Sequence, residues 1–221
     1  MTQLAIDLQY RTAFGRADFL VSACNAEALG FVERWPDWQA PALLIHGPAG
    51  SGKTHLAHLW QARCGGIIVP AATLDALESV LQLAEESPGI AVDDADRAPE
   101  APLLHLHNWC RERRTSLLLL SRQAPGAWPV ALPDLASRLR SLPSVGIAAP
   151  DDRLLGAVLV KHFADRGLRV EPRVIAYAVR RMERSFDAAA ELVAALDRLA
   201  LAGGSAVTVA LARRVLDPTS A

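Results

Sequence analysis

Residues 47–54 read Gly-Pro-Ala-Gly-Ser-Gly-Lys-Thr, and the apolar stretch Ala-Leu-Leu-Ile-His stands directly before them at 42–46. Helical spacing of apolar residues follows, in Thr-His-Leu-Ala-His-Leu-Trp-Gln-Ala. A glycine-rich turn between a strand and a helix points backbone N–H groups at phosphate oxygens, and the helix N-terminus adds partial positive charge. This pattern is a P-loop, and it predicts a site for a nucleoside di- or triphosphate. The predicted nucleotide-binding residues are Gly47, Pro48, Ala49, Gly50, Ser51, Gly52, Lys53 and Thr54.

A second motif, Gly-Ile-Ala-Val-Asp-Asp at 89–94, is an apolar stretch that ends in two acids. The carboxyl ends of parallel strands meet at one edge of a sheet, so we expect these acids beside the P-loop. In P-loop proteins Lys53 would contact the β- and γ-phosphates, while the Thr54 hydroxyl and the Asp93 carboxylate would hold Mg²⁺. Asp94 is then the predicted catalytic group that polarises an attacking water.

The spacing of apolar residues predicts the fold class. Runs typical of buried parallel strands lie at 42–46, 66–69, 89–92 and 117–120, with a weaker one at 144–148, and helical periodicity lies at 53–63, 73–86 and 101–112. This alternation predicts an α/β domain with a mainly parallel sheet. Beyond 150 only helices are expected, at about 151–165, from Pro172, and at 185–201 and 207–215. We predict an N-terminal tail at 1–10, an α/β nucleotide-binding domain at 11–149 and a small all-helical domain at 150–221.

The composition restricts the class of protein. The 221 residues carry a net charge of −1, which gives no overall attraction to nucleic acid. Three cysteines at unpaired spacings argue against a disulfide framework, and the N-terminus does not have the pattern of a signal peptide. No apolar run is long enough to span a bilayer. We therefore expect a cytoplasmic protein with no membrane partner. The six histidines do not have the spacing of metal ligands.

Several of these segments together resemble the AAA+ ATPases. They are the P-loop, the Asp-Asp motif, Leu-Leu-Leu-Leu-Ser-Arg-Gln-Ala-Pro at 117–125, Leu-Pro-Asp-Leu-Ala-Ser-Arg-Leu-Arg-Ser at 132–141 and the helical C-terminal part. The closest resemblance is to the ATPase module of the bacterial replication initiator DnaA and its short relatives. It implies an AAA+ P-loop NTPase core followed by a small all-helical lid domain, with ADP or ATP and Mg²⁺ as cofactors.

The segment 132–141 is similar to Box VII of this family. The resemblance implies that Arg138 is a catalytic arginine finger, which projects to the γ-phosphate held by a neighbouring subunit and stabilises its charge during transfer. Arg140 is the alternative finger. Without the family resemblance, Arg138 would be interpreted as a surface arginine on a short amphipathic helix.

Residues 16–21, Arg-Ala-Asp-Phe-Leu-Val, followed by Asn25, resemble the segment that cradles adenine in DnaA-like proteins. The resemblance implies that backbone groups of Phe19, Leu20 and Val21 bind the edge of the base.

Near the N-terminus, Gln-Leu-Ala-Ile-Asp-Leu at 3–8 resembles the short peptide with which bacterial proteins dock on the sliding clamp, the beta subunit of DNA polymerase III. An extended tail would place Leu4, Ile6 and Leu8 in apolar pockets while Gln3 makes an orienting hydrogen bond. An ordinary N-terminal strand or a fraying tail is the alternative interpretation.

A DnaA-like core with this tail, and without the DNA-reading domain of DnaA, resembles the Hda-type regulators that inactivate DnaA. The resemblance implies a regulator of replication initiation that holds adenine nucleotide, most simply ADP, and docks on the clamp. It would stimulate ATP hydrolysis by its partner DnaA through Arg138. It also implies a weak ATPase activity of its own and no direct sequence-specific DNA binding.

Two positions depart from the DnaA pattern. Ser121-Arg122-Gln123 stands where DnaA has an acidic sensor, and Ala190 stands where the lid carries a nucleotide-sensing arginine. Arg184 could replace that arginine only if the lid helix is shifted. Three alternatives remain: a DnaA-like AAA+ helicase loader or other replication adaptor, a P-loop small-molecule kinase, and a clamp-binding scaffold whose P-loop is only structural.

Overall fold

A five-stranded parallel sheet forms the centre of the protein. The structure, a computed structural model, describes residues 15–217. The strands are β1 (Ala42–His46), β2 (Ile67–Pro70), β3 (Gly89–Asp93), β4 (Ser116–Ser121) and β5 (Ser144–Gly146). Their order is β2-β3-β4-β1-β5, and all four neighbouring pairs are parallel. The predicted α/β class with a mainly parallel sheet is confirmed. β5 ends two residues earlier than its apolar run suggests.

Helices cover both faces of this sheet, because its strands are apolar on both sides. They are α1 (Ala26–Glu33), α2 (Lys53–Cys64), α3 (Leu77–Ala84), α4 (Glu100–Arg113) and α5 (Pro133–Ser141). In β1, Leu43 and Ile45 pack with the buried residues of α1 and α2. Ala42 and Leu44 instead face the core that includes α3, α4 and α5. Alternation along the strand therefore places two separate cores on the two faces of the sheet.

The single helix expected at 73–86 is instead two elements. A 3-10 helix occupies Ala71–Ala76, and α3 begins at Leu77. Ala76 joins them with φ −106° and ψ 51°, outside the helical region, which interrupts the turn of the chain. α1 was not expected from the sequence, because Gly30 interrupts its apolar residues and no proline marks its start.

Four helices follow the sheet and enclose a core of their own. They are α6 (Asp152–Asp165), α7 (Pro172–Val179), α8 (Phe186–Gly203) and α9 (Val209–Leu216). Side chains of Asp151, Ser185 and Thr208 accept hydrogen bonds from the first turns of α6, α8 and α9, which satisfies otherwise unpaired N–H groups. This helical part after the α/β core confirms the predicted architecture. Within residues 15–217, every helix is too short or too polar to cross a membrane.

Candidate nucleotide-binding site

The predicted P-loop connects β1 to α2 at the carboxyl edge of the sheet. Gly50 and Gly52 have φ values of 67° and 88°, a left-handed conformation that is costly for residues with a Cβ atom. The loop surrounds Lys53, the first residue of α2, whose side chain is buried. Its Nζ donates hydrogen bonds to the carbonyl oxygens of Gly47 and Pro48, both at 2.8 Å. The lysine is therefore fixed inside the loop that would surround a phosphate.

The loop and the acidic motif meet beside this lysine. Thr54 Oγ1 donates a 2.7 Å hydrogen bond to Asp93 Oδ2, although β4 lies between β1 and β3 in the sheet. Burial lowers the pKa of Lys53, and the carboxylates of Asp93 and Asp94 oppose this effect. A hydroxyl beside a carboxylate is the pair that holds Mg²⁺ in P-loop NTPases. Within residues 15–217 no group of three or more His, Cys, Asp or Glu side chains could hold a metal ion, so a cation held by Thr54 and Asp93 would take its other ligands from water or from phosphate.

Asp94, the predicted catalytic acid, lies in the left-handed region with φ 52°. Its N–H donates to Asp93 Oδ1 at 3.0 Å, and its own Oδ1 lies 3.5 Å from Nε of Arg122. Arg122 directly follows β4, in the loop that departs from the DnaA pattern. The segment that departs from the DnaA pattern is therefore in contact, through Arg122, with Asp94, the carboxylate that would polarise an attacking water.

The predicted base-binding segment lies beside the P-loop. Phe19 is buried, and its ring meets that of His55 edge to face with centroids 5.2 Å apart. Asn25 is also buried, and its Nδ2 donates to the carbonyl of Leu20 at 2.9 Å. Phe19, Leu20, Asn25 and His55 line one cavity together with the P-loop. Val21 does not line it, and its side chain is exposed.

The lid helices close the opposite side of this cavity. Lys161 and His162 of α6 line it, as does Ala190 of α8, the position expected for a sensing arginine. Arg184 does not line it, and instead pairs with Asp152 at 2.9 Å. The replacement of the lid arginine by Arg184, which would require a shifted helix, is therefore not found in this structure.

An acidic residue of the lid, Asp187, touches the P-loop. It is the second residue of α8 and lines the cavity. A Cβ atom added at Gly50 would collide with the Asp187 carboxylate and would lie 2.8 Å from its backbone nitrogen. Sequence reasoning missed this residue, because an acid in the first turn of a helix is ordinary N-terminal composition. The lid thus brings a carboxylate to the phosphate loop.

Arg138 lies away from the residues that surround Lys53. It is a half-buried residue of α5 and lines a different cavity, beside the first residue of β1 and next to His107 and Arg111. Burial lowers the pKa of His107, and the positive charges of Arg138 and Arg111 lower it further. Among residues 15–217, no carboxylate lies within ion-pair distance of Arg138 or Arg111. Arg140, the alternative finger, is exposed on the same helix.

The four residues of the predicted clamp-binding tail, Gln3, Leu4, Ile6 and Leu8, lie outside the described residues. Their role stays a prediction from the sequence pattern.

Comparison with known proteins identifies the fold. No protein-family model matches the chain. Domain III of the replication initiation protein DnaA from Thermotoga maritima superimposes with a TM-score of 0.78 at 15% identity, and the match covers 93% of this chain and 96% of that one. This chain has a DnaA-like AAA+ fold.

Two further solved structures agree with this conclusion, and one protein is similar in sequence. AMPPCP-bound DnaA from Aquifex aeolicus has a TM-score of 0.66 at 17% identity, over 85% of this chain and 65% of that chain. The RuvB Holliday junction branch migration motor of Thermotoga maritima has a TM-score of 0.72 at 13% identity, over 93% and 72%. An uncharacterized protein of Haemophilus influenzae is 25% identical over 193 residues, which are 82% of this chain and 84% of that protein.

Proposed function

We propose that this chain is a DnaA-related regulator of replication initiation. It binds adenine nucleotide with Mg²⁺, docks on the sliding clamp through residues 3–8, and stimulates ATP hydrolysis by DnaA through Arg138. The DnaA-like AAA+ fold supports the general class, and the arrangement of charged residues supports the particular role.

The hydrogen bond between Thr54 and Asp93 carries the nucleotide part of the proposal. It joins the end of the P-loop to the acidic motif, and Lys53 stands beside both with its charge buried. Such a lysine is stabilised by an anionic ligand, since burial without a partner disfavours its charged form. The bound Mg²⁺ would bridge phosphate oxygens and neutralise their charge, with Thr54 and Asp93 holding it. The cavity between Phe19 and the lid has room for the base beside the P-loop.

Two contacts favour a role in holding ADP over rapid turnover. The lid places Asp187, and not an arginine, against the P-loop. A carboxylate there would repel added phosphate charge, so a diphosphate is favoured over a triphosphate. Asp94 is also paired with Arg122, which limits its use as a group that polarises water.

The position of Arg138 supports action on a partner. Its cavity is distinct from the one formed by the P-loop and the lid, and no carboxylate of residues 15–217 neutralises it. In a head-to-tail pair of AAA+ subunits, such an arginine can complete the site of the neighbour, a heterologous interface. The contribution of a finger supplied in this way is about 10³–10⁵ in rate.

The decisive experiment measures phosphate release by ATP-loaded DnaA in the presence of clamp loaded on DNA. We expect stimulation by the wild-type chain and its loss in Arg138→Ala; if stimulation is lost only in Arg140→Ala, the finger is Arg140. Deletion of residues 1–8 should abolish binding to the clamp. Absence of stimulation by the wild type, or undiminished stimulation by both Arg138→Ala and Arg140→Ala, would refute the regulatory role. A helicase loader would show neither stimulation nor clamp binding.

A further inference from the structure

Arg122 and Asp94 occupy neighbouring positions at the carboxyl edge of the sheet. Asp94 directly follows β3 and Arg122 directly follows β4, and these two strands pair in parallel with Val92 opposite Leu119. Arg122 Nε lies 3.5 Å from Asp94 Oδ1, with both side chains slightly less than half exposed. The register of the sheet therefore brings a guanidinium to Asp94, the acid next to the one that contacts Thr54.

Backbone contacts hold both residues in place. The Arg122 N–H donates to Asp96 Oδ2 at 3.2 Å. The buried Ser121 hydroxyl donates to the carbonyl of Gln123 at 2.7 Å and fixes the turn after β4. On the other side, the N–H of Asp94 donates to Asp93 Oδ1. The ion pair thus joins two turns that are held in place by hydrogen bonds of their own.

The same guanidinium acts electrostatically on the phosphate-binding lysine. The positive charge of Arg122 lowers the pKa of Lys53, after the larger effect of burial and against the effects of Asp93 and Asp94. Arg122 therefore lies close enough to the phosphate site to influence charges there. Arg97, three residues after Asp94, has an exposed side chain and forms no ion pair with Asp94.

Hydrolysis of bound ATP needs a carboxylate that is free to accept a hydrogen bond from water. The water oxygen forms a bond to the γ-phosphorus, and the bond from that phosphorus to the bridging oxygen breaks with its electron pair left on ADP. The water proton is taken up by the carboxylate and passes to solvent, so the products are ADP, phosphate and a proton. A carboxylate oxygen engaged by a guanidinium is a poorer acceptor for that water.

We propose that Arg122 is a positioning residue that holds Asp94 away from the attacking water and so keeps hydrolysis of the chain's own ATP slow. This inference rests on the proposed function only in requiring that the P-loop bind adenine nucleotide. Arg122 thereby slows the loss of bound ATP by the few-fold effect of one partly exposed ion pair.

The test uses the purified full chain with Mg²⁺ and ATP and without DnaA. Steady-state hydrolysis gives kcat and KM, and displacement of a fluorescent nucleotide gives the affinities for ADP and ATP. We expect Arg122→Gln to raise kcat by roughly 2- to 5-fold, the size typical of a partly exposed ion pair. KM and both affinities should stay within about 2-fold, since the P-loop is unchanged. Arg122→Lys, which keeps the positive charge, should hydrolyse ATP nearly as slowly as the wild type does.

Two controls separate pairing with Asp94 from a general loss of positive charge. Arg97→Gln removes a nearby arginine that does not pair with Asp94, and should leave kcat unchanged. Arg122→Gln combined with Asp94→Asn should hydrolyse no faster than Asp94→Asn alone. The inference is overturned if Arg122→Gln is no faster than wild type, if Arg97→Gln accelerates equally, or if the acceleration survives in the Asp94→Asn background.

Nucleotide binding distinguishes the two proposals. If wild type and variants bind ADP but Arg122→Gln does not accelerate hydrolysis, only the role of Arg122 is refuted. If the wild type binds neither nucleotide, the proposed nucleotide site is refuted, and the role of Arg122 is refuted with it.

Discussion

The hydroxyl of Thr54 donates a 2.7 Å hydrogen bond to the carboxylate of Asp93, although β4 lies between β1, which leads into the P-loop, and β3, which ends at Asp93. Thr54 is the second residue of α2 and Asp93 is the last residue of β3, and their contact defines where the P-loop and the acidic motif act together. A bound Mg²⁺ is expected at this contact.

Asp93→Asn should weaken Mg²⁺-dependent nucleotide binding. The amide retains the size of the side chain but not the negative charge that attracts the cation, and we expect about a 10-fold or larger loss of affinity. Calorimetric titration of ADP with Mg²⁺ and with a chelator measures this effect. Thr54→Ser, which keeps the hydroxyl, should bind as the wild type does. Equal affinities of Asp93→Asn and wild type in Mg²⁺ would argue against this metal position.

Gly50→Ala should disturb the contact between the P-loop and the lid. A Cβ at Gly50 meets the Asp187 carboxylate, and its φ of 67° disfavours alanine. We expect a loss of about 1–2 kcal/mol in the free energy of unfolding, together with weaker binding of ADP. Chemical denaturation and nucleotide titration measure these two effects.

Gly126→Ala is the matched control for this substitution, because no atom of the described part of the chain lies within 4 Å of the added Cβ there. Asp187→Ala combined with Gly50→Ala should recover part of the loss, but not all of it, since the backbone nitrogen of Asp187 remains close. A Gly50→Ala protein as stable as Gly126→Ala would contradict the observed packing.

The stability of the protein should fall on mild acidification. Burial is the largest cause that lowers the pKa of four histidines: His46, His55, His107 and His162. As the pH falls below the ordinary histidine pKa of about 6.5, the unfolded chain binds protons that the folded chain binds only at lower pH. The free energy of unfolding therefore decreases from that pKa down to the lowered values.

Denaturant unfolding between pH 7.5 and pH 5 would show this decrease, and His107→Gln should make it shallower. His105→Gln, at an exposed position of the same helix, should leave the slope as it is. An unchanged slope in His107→Gln would mean that this histidine titrates equally in the folded and unfolded chains.

Among the buried side chains of α2, Trp60 should be the costliest to truncate. It is fully buried and stacks on Trp38 with centroids 6.0 Å apart, while Trp35 meets it edge to face at 6.5 Å. Trp60→Ala should lower the free energy of unfolding by about 3–5 kcal/mol. Trp60→Phe should cost clearly less, because a ring remains and the buried indole N–H, which has no hydrogen-bond partner among residues 15–217, is removed. Denaturant unfolding of both variants tests this order.

The elements that could be predicted from the sequence are those specified by neighbouring residues. The P-loop is eight consecutive residues, and two of its three glycines, Gly50 and Gly52, have positive φ values. The lid helices begin where Asp151, Ser185 and Thr208 can cap them. A short element without a proline to mark its start, such as α1, escaped prediction, because two turns alone show too little periodicity.

The sequence by itself determined the α/β class, the phosphate loop and the acidic motif, because each depends on residues close together in the chain. Only the tertiary structure decided which side chains meet at the site. Arg122 pairs with Asp94 because β3 and β4 are neighbours in the sheet. Asp187 contacts Gly50 because the lid folds back over the P-loop. Such contacts depend on strand order and on the packing of distant elements, which no local pattern of residues specifies.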